Sequence, residues 1–160
     1  MQYIGLFLVM LSVLVFTGEY TKYMRKRVRE CEAFLEFIGH LRTELSCYLR
    51  PLCEAAGGFS SDALSEVGFL DAVKSTGNIY EAFKSTKGKL SLSEEEITPL
   101  QSLFSSLGHA YLEEELKLIN MCEENMRCVT EKIKRESPKS IKLISTLSVT
   151  VAIGFFILVI

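Results

Sequence analysis

Apolar positions open the chain as an unbroken run and only later become periodic. Residues 3–16 (YIGLFLVMLSVLVF) carry no charge, and the uncharged stretch covers residues 1–18. A membrane span takes about 20 apolar residues, so this run is short but workable. A cleaved signal peptide would need a basic start and a small-residue cleavage site. Met1, Gln2 and Tyr3 precede the run and Phe16-Thr17-Gly18-Glu19 follows it, so neither is present and an uncleaved anchor is expected. Residues 143–160 (LISTLSVTVAIGFFILVI) form a second uncharged run, in which the chain ends.

Between the two runs the spacing turns helical. Met24, Val28, Cys31, Phe34/Leu35, Ile38, Leu41, Leu45, Tyr48 and Leu52 follow steps of four and three. That spacing draws one apolar seam along a helix. No proline separates it from the first run, so the helix is expected to continue out of the anchor. Glu30, Glu32, Glu36, Arg42 and Glu44 fall off the seam. Pro51 should end or kink the helix near Leu49 and then start a short helix closed by Gly57-Gly58. Asp62 is a candidate cap for a helix through about Val73, ended by a turn at 75–77, and Asn78 for another through about Ser85. Residues 86–89 read as a loop. Ser93-Glu94-Glu95-Glu96 has the form of a capping box, with Ile97, Leu100, Leu103/Phe104 and Leu107 behind it. Thr98-Pro99 is a second candidate start. Gly108 closes that helix. A long helix from Tyr111 to about Glu136 follows, with Leu112, Leu116, Ile119, Cys122, Met126, Val129 and Ile133 as its seam. Ser137-Pro138 is expected to interrupt it.

No segment alternates with period two for long enough to suggest a sheet. The expected fold is all-α: an antiparallel helical bundle (residues 19–140) flanked by N- and C-terminal transmembrane helices (1–18 and 141–160). The first and last long helices should lie seam to seam, with the short helices at the membrane-distal end.

Charge adds a topology. Residues 22–29 hold five basic residues and no acid, and 132–142 hold five more against Glu136. Residues 30–131 hold 8 basic and 18 acidic residues. Lys22, Arg25, Lys26, Arg27 and Arg29 flank the first run on its inner side, and Lys139 and Lys142 flank the second. The positive-inside rule puts the middle domain in the cytoplasm, and the basic ends suit contact with membrane lipid. No basic face crosses the domain, so nucleic acid is not an expected partner. Thr146, Thr150 and Gly154 make a small-residue stripe suited to close helix packing, against Gly5 and Ser12 or another protein.

Chemistry is sparse. The chain has no Walker A loop, GxGxxG, GxSxG or HExxH, and neither an enzyme nor any cofactor or metal is implied. Cys31, Cys47, Cys53, Cys122 and Cys128 form no CxxC pair and read as small buried apolar residues in a reducing compartment. His40 reads as an ordinary bundle residue and His109 as a loop residue. The two glutamate triplets, 94–96 and 113–115, lie at helix starts, where acids favour the dipole. They read as solvated helix-end charge, or as a surface for a basic partner.

The arrangement resembles the stage III sporulation protein AB family of endospore-forming bacteria over nearly its whole length. The resemblance lies in the Arg-rich start at 25–29 and in His40-Leu41-Arg42-Thr43-Glu44-Leu45 running into Tyr48-Leu49-Arg50-Pro51-Leu52-Cys53-Glu54-Ala55-Ala56. It continues in Leu103-Phe104-Ser105-Ser106-Leu107-Gly108 and in Lys139-Ser140-Ile141-Lys142 before the final run. The family pattern usually has Asp then Gln soon after Leu-Gly, where this chain has Tyr111 and three glutamates. It usually has Leu-Gly at the second anchor, where this chain has Ile144-Ser145. The resemblance implies a component of the mother-cell membrane assembly that links mother cell and forespore. It also implies a domain similar to the cytoplasmic helical domains of the type II secretion inner-membrane platform protein, a partner cytoplasmic ATPase, and other membrane components of the complex.

The leading expectation is therefore a membrane-anchored scaffold that docks the ATPase. Its docking candidates are Arg50, Pro51, Glu54, Gly108, Glu113, Glu114 and Glu115. The rivals are a spacer that recruits membrane helices without an ATPase, and a hydrolase using the acidic runs.

Overall fold

The computed structural model describes residues 2–48, 50–108 and 111–159, with side chains described at 11–13, 15–48, 50–108, 111–151 and 153–154. Every regular element among them is helical: α1 (Gln2–Thr43), α2 (Leu52–Gly57), α3 (Asp62–Val67), α4 (Phe69–Thr76), α5 (Ile79–Thr86), α6 (Glu94–Ser106) and α7 (Leu112–Val159). The chain divides into two compact units, residues 1–26 with 133–160, and residues 27–132. Among the described residues no helix is long and apolar enough to cross a membrane.

In the first unit Thr17 Oγ1 donates to Ser148 Oγ at 3.1 Å, joining α1 to α7. Thr146 and Thr150 are exposed and bond the carbonyls of their own helix at Lys142 and Thr146, both at 2.9 Å. Gly154 is exposed, and an added Cβ there would meet nothing within 4 Å. The hydroxyl contact to α1 is thus made by Ser148, and the small-residue stripe faces outward. Ser12 is exposed as well, and the side-chain surroundings of Gly5 lie outside the described residues. Leu11, Val15, Phe16, Leu143, Leu147, Val149, Val151 and Ile153 are large apolar residues left exposed.

In the second unit the core is a cluster of phenylalanines. Phe34 meets Phe69, Phe83 and Phe104 with ring centroids 5.3, 5.9 and 6.4 Å away. Phe37 meets Phe59, Phe69 and Phe104 at 5.3, 5.4 and 6.1 Å. Edge-to-face pairs of this kind add to simple area burial. The rings of α4, α5 and α6 pack against Phe34 of α1, and the expected seam of α1 changes at two positions. Phe37, which strict 4-3 stepping skips, is fully buried, while Tyr48, on the seam, is exposed. A ring cluster needs a face wider than one seam, because each phenylalanine contacts several neighbours.

Local chemistry explains the remaining boundaries. The α-form of α1 ends at Thr43 and a π-turn runs Glu44–Tyr48. A widened turn carries the chain out ahead of Pro51, whose ring would clash with a carbonyl one helical turn back. Leu49, the expected end point, lies outside the described residues. The helix expected from Asp62 to Val73 is two helices, because Gly68 adopts φ +83° between them, and Ser61 rather than Asp62 is at the N-cap position. Asn78 caps α5, its Oδ1 accepting from the N–H groups of Tyr80 (2.9 Å) and Glu81 (3.2 Å). The expected loop at 86–89 contains a single 3₁₀ turn, Lys87–Lys89. The capping box start of α6 holds, and the helix passes through Pro99. The expected interruption at Ser137-Pro138 does not occur, since α7 runs through Pro138. A proline inside a helix removes one hydrogen bond, and long helical stretches on both sides tolerate that loss.

Candidate docking groove

The docking candidates come from two places in the sequence, and in the second unit Leu52, beside the first group, meets Gly108 of the second. Pro51, at φ −56° and ψ 142°, precedes α2 and sets its first turn, which presents Leu52, Cys53 and Glu54. Gly108 follows α6 at φ +85°, a left-handed conformation that costs other residues energy. A Cβ added there would lie 4.0 Å from Leu52 Cδ1, so the two segments touch. Cys53 Sγ donates to Gly77 O at 2.7 Å, tying α2 to the turn before α5. Between them is an open groove of about 200 Å³. Ile79, Phe104 and Leu107 are buried and line its floor, while Leu52, Tyr80 and Gly108 are more open.

None of the residues lining the groove is acidic; Glu54, Glu113 and Glu114 are exposed. Arg50 is exposed too, but it pairs with Glu44 at 3.3 Å and lies over the Tyr48 ring at 5.5 Å. Glu115 differs from its two neighbours. It is 6% exposed and accepts a 2.7 Å hydrogen bond from Gly108 N–H. Its role is structural: it draws the first turn of α7 onto the end of α6. Tyr111 and Leu112, beside that turn, are exposed apolar residues, as is Tyr48. His109 lies outside the described residues. His40 is half-buried, with Nε2 3.0 Å from Ala55 O, so that nitrogen carries the proton.

In the other triplet Glu94 and Glu95 are exposed helix-end charge, as expected, and only Glu96 is buried; all three also form ion pairs. Each glutamate takes a cation from a different element: Glu94 from Lys87 (3.7 Å), Glu95 from Lys132 (2.8 Å) and Glu96 from Arg27 (2.5 Å). Glu96 is fully buried; it accepts two bonds from Arg27 and one from Ser93 N–H. Glu30, expected off the seam, is likewise buried and accepts from Ser91 N–H at 2.6 Å. Both carboxylates satisfy backbone donors where the chain enters α6, which is why they sit inside. The capping box was legible for Glu96; Glu30 stands four residues before Phe34, on the buried face of α1, a spacing signal that its charge obscured. The ion pairs also show that α1 and α7 run antiparallel in this unit. Arg27 and Lys132 meet neighbouring glutamates, and Arg42 pairs with Glu123 at 2.8 Å.

The basic flanks divide in the same way. Arg27 and Arg29 serve ion pairs inside the second unit, Arg29 with Glu66. Lys22 pairs with Glu19 at 2.8 Å and stays exposed. Arg25, Lys139 and Lys142 are exposed, and Lys26 is half-buried. Of the cysteines, Cys31 and Cys122 are buried as expected, while Cys47, Cys53 and Cys128 are exposed; all five are free thiols. Among the described residues no group of three or more His, Cys, Asp or Glu is placed to hold a metal ion.

A family model described as stage III sporulation protein AB matches residues 2–160. No curated protein matches the chain. No solved structure matches it.

Proposed function

The chain belongs to the stage III sporulation protein AB family, and from that premise we propose that it is a non-catalytic, membrane-anchored scaffold that docks a cytoplasmic ATPase of a sporulation complex. The family assigns the chain to sporulation. The anchors, the mother-cell membrane, the platform-like role and the ATPase are the proposal. Anchoring is supported by the two uncharged runs, 1–18 and 143–160, each with basic residues on its inner side. Both runs continue into 1–10 and 155–160, where side chains are not described. It is further supported by the eight large apolar residues exposed in the first unit. Apolar surface of that extent calls for lipid or a partner.

The observation that carries the docking reading is the meeting of Leu52, at the start of α2, with Gly108, which the Gly108–Glu115 hydrogen bond ties to the start of α7. A photo-crosslinking residue at Glu54 or Glu113 tests it in membranes of sporulating cells. The expected product contains the ATPase; crosslinks to membrane components alone would overturn the docking role and favour a spacer.

A further inference from the structure

The Thr17–Ser148 hydrogen bond sets the register of α1 against α7 in the first unit, where the two unbroken helices keep their antiparallel course. Arg25 stands eight residues after Thr17; Lys142 and Lys139 stand six and nine before Ser148. At about 1.5 Å of rise per residue, all three fall about 9–14 Å from the hydroxyl contact, on the same side of it. All three are exposed. Tyr23, 46% exposed, falls at the same level. Residues 23–26 and 139–142 contain no acid.

The exposed apolar residues occupy the rest of the unit. Phe16 and Leu147 adjoin the hydroxyl contact. Leu11 and Ile153 lie about 8–9 Å to its other side, and Leu143 comes just before the cationic level. The surface therefore changes from apolar to cationic within about one helical turn, on both helices at once. The neighbouring basic residues are used differently. Lys22 is held by Glu19, Arg27 by Glu96 and Arg29 by Glu66.

An apolar band edged by cations and a tyrosine matches the depth profile of a lipid layer, with acyl chains against the band and headgroups at its edge. A zwitterionic headgroup layer has no net charge to answer three outward cations. An anionic layer does, and each cation near it adds to the attraction. We propose that Arg25, Lys139 and Lys142 form a binding surface for anionic phospholipid headgroups, with Tyr23 at the same depth. This deepens the anchoring reading above and rests on it, because it names the lipid class that meets the first unit.

The test synthesises the full chain into vesicles of phosphatidylcholine alone, or of phosphatidylcholine and phosphatidylglycerol in equal parts. Resistance to carbonate extraction reads insertion. Native mass spectrometry after detergent release reads which lipid the protein retains from the mixed vesicles. At least fivefold more phosphatidylglycerol than phosphatidylcholine is expected. Arg25→Gln with Lys139→Gln and Lys142→Gln should bring that ratio close to one. All three sites are exposed, and circular dichroism checks helical content. Arg29→Gln removes a cation already engaged by Glu66 and should leave the ratio unchanged. A ratio near one for the unaltered chain would overturn the inference, as it would if the cations served an acidic protein instead. A preference that survives the triple substitution, or that Arg29→Gln also abolishes, would overturn the assigned surface. Insertion into both vesicles with a ratio near one would leave the anchors standing, whereas failure to insert into either would overturn the anchoring reading itself.

Discussion

Neighbouring residues of identical type carry very different weight in this chain. Glu95 and Glu96 both hold a cation, but Glu95 is exposed while Glu96 is fully buried. Removing one partner of a buried pair strands the other charge and costs about 3 kcal/mol. Glu96→Ala should lower stability by that amount in chemical denaturation, while Glu95→Ala should leave the midpoint essentially unmoved, because an exposed pair is screened by water. The cysteines divide by the same rule. At neutral pH a maleimide should label Cys47, Cys53 and Cys128 in the folded protein and all five thiols after unfolding, as mass spectrometry would count. Burial pushes the Cys31 and Cys122 thiols up to about 12 from an ordinary value of 9.0; the charge of Glu96 adds to the effect on Cys31. A folded-state value above the unfolded one means the unfolded chain loses its protons first. The contribution is therefore complete below pH 9.0 and lost as pH rises toward about 12. The denaturation midpoint should fall over that window, and Cys31→Ala with Cys122→Ala should flatten the fall.

For the helical elements, the outcome depends on single residues that break or permit helix. Gly68 separates α3 from α4 in a left-handed conformation, with open space where a Cβ would be. Gly68→Ala therefore meets no clash and suffers only the backbone cost, about 1–2 kcal/mol; a larger loss in thermal unfolding would point to a packing role. Pro138 acts in the opposite sense. It lies inside α7 and withholds an N–H from the helix. Pro138→Ala should stabilise α7 locally by up to about 3 kcal/mol, seen as slower amide exchange around residues 134–142. Periodicity located α1, α6 and α7 and the Asn78 cap located α5, but the turn residues misjudged both breaks. Spacing reports the apolar face, whereas a break depends on whether the surroundings demand a turn. The candidate site was legible to a similar depth. Pro51 and Gly108 stood out as turn-forming residues, but the reading of the glutamates as one charged run missed that Glu115 alone shares the face of Ile119 and Cys122.

Across the whole molecule, stability rests on the phenylalanine cluster that joins α1 to the short helices. Phe34 contacts three other rings and is fully buried. Phe34→Ala should cost about 3–5 kcal/mol, with near-ultraviolet circular dichroism and denaturation midpoint changing together. The proposed cytoplasmic placement of residues 27–132 is testable with native thiols. A membrane-impermeant maleimide should spare Cys47, Cys53 and Cys128 in intact protoplasts and label them in inverted vesicles. Labelling in intact protoplasts would reverse the topology.

Read alone, the sequence determined the helical class, the two uncharged runs with their basic inner flanks, and most helix starts. These follow from periodicity, capping chemistry and charge counts, all of which act over a few neighbouring residues. Tertiary structure decided which carboxylates are buried, where the short helices pack, and that Leu52 and Cys53 share one groove with Gly108. Those outcomes depend on groups brought together from distant parts of the chain. Glu30 finds the Ser91 N–H across 61 residues, and Arg27 finds Glu96 across 69. Local spacing holds no record of a partner that far away, so burial and pairing are settled only when the chain closes on itself.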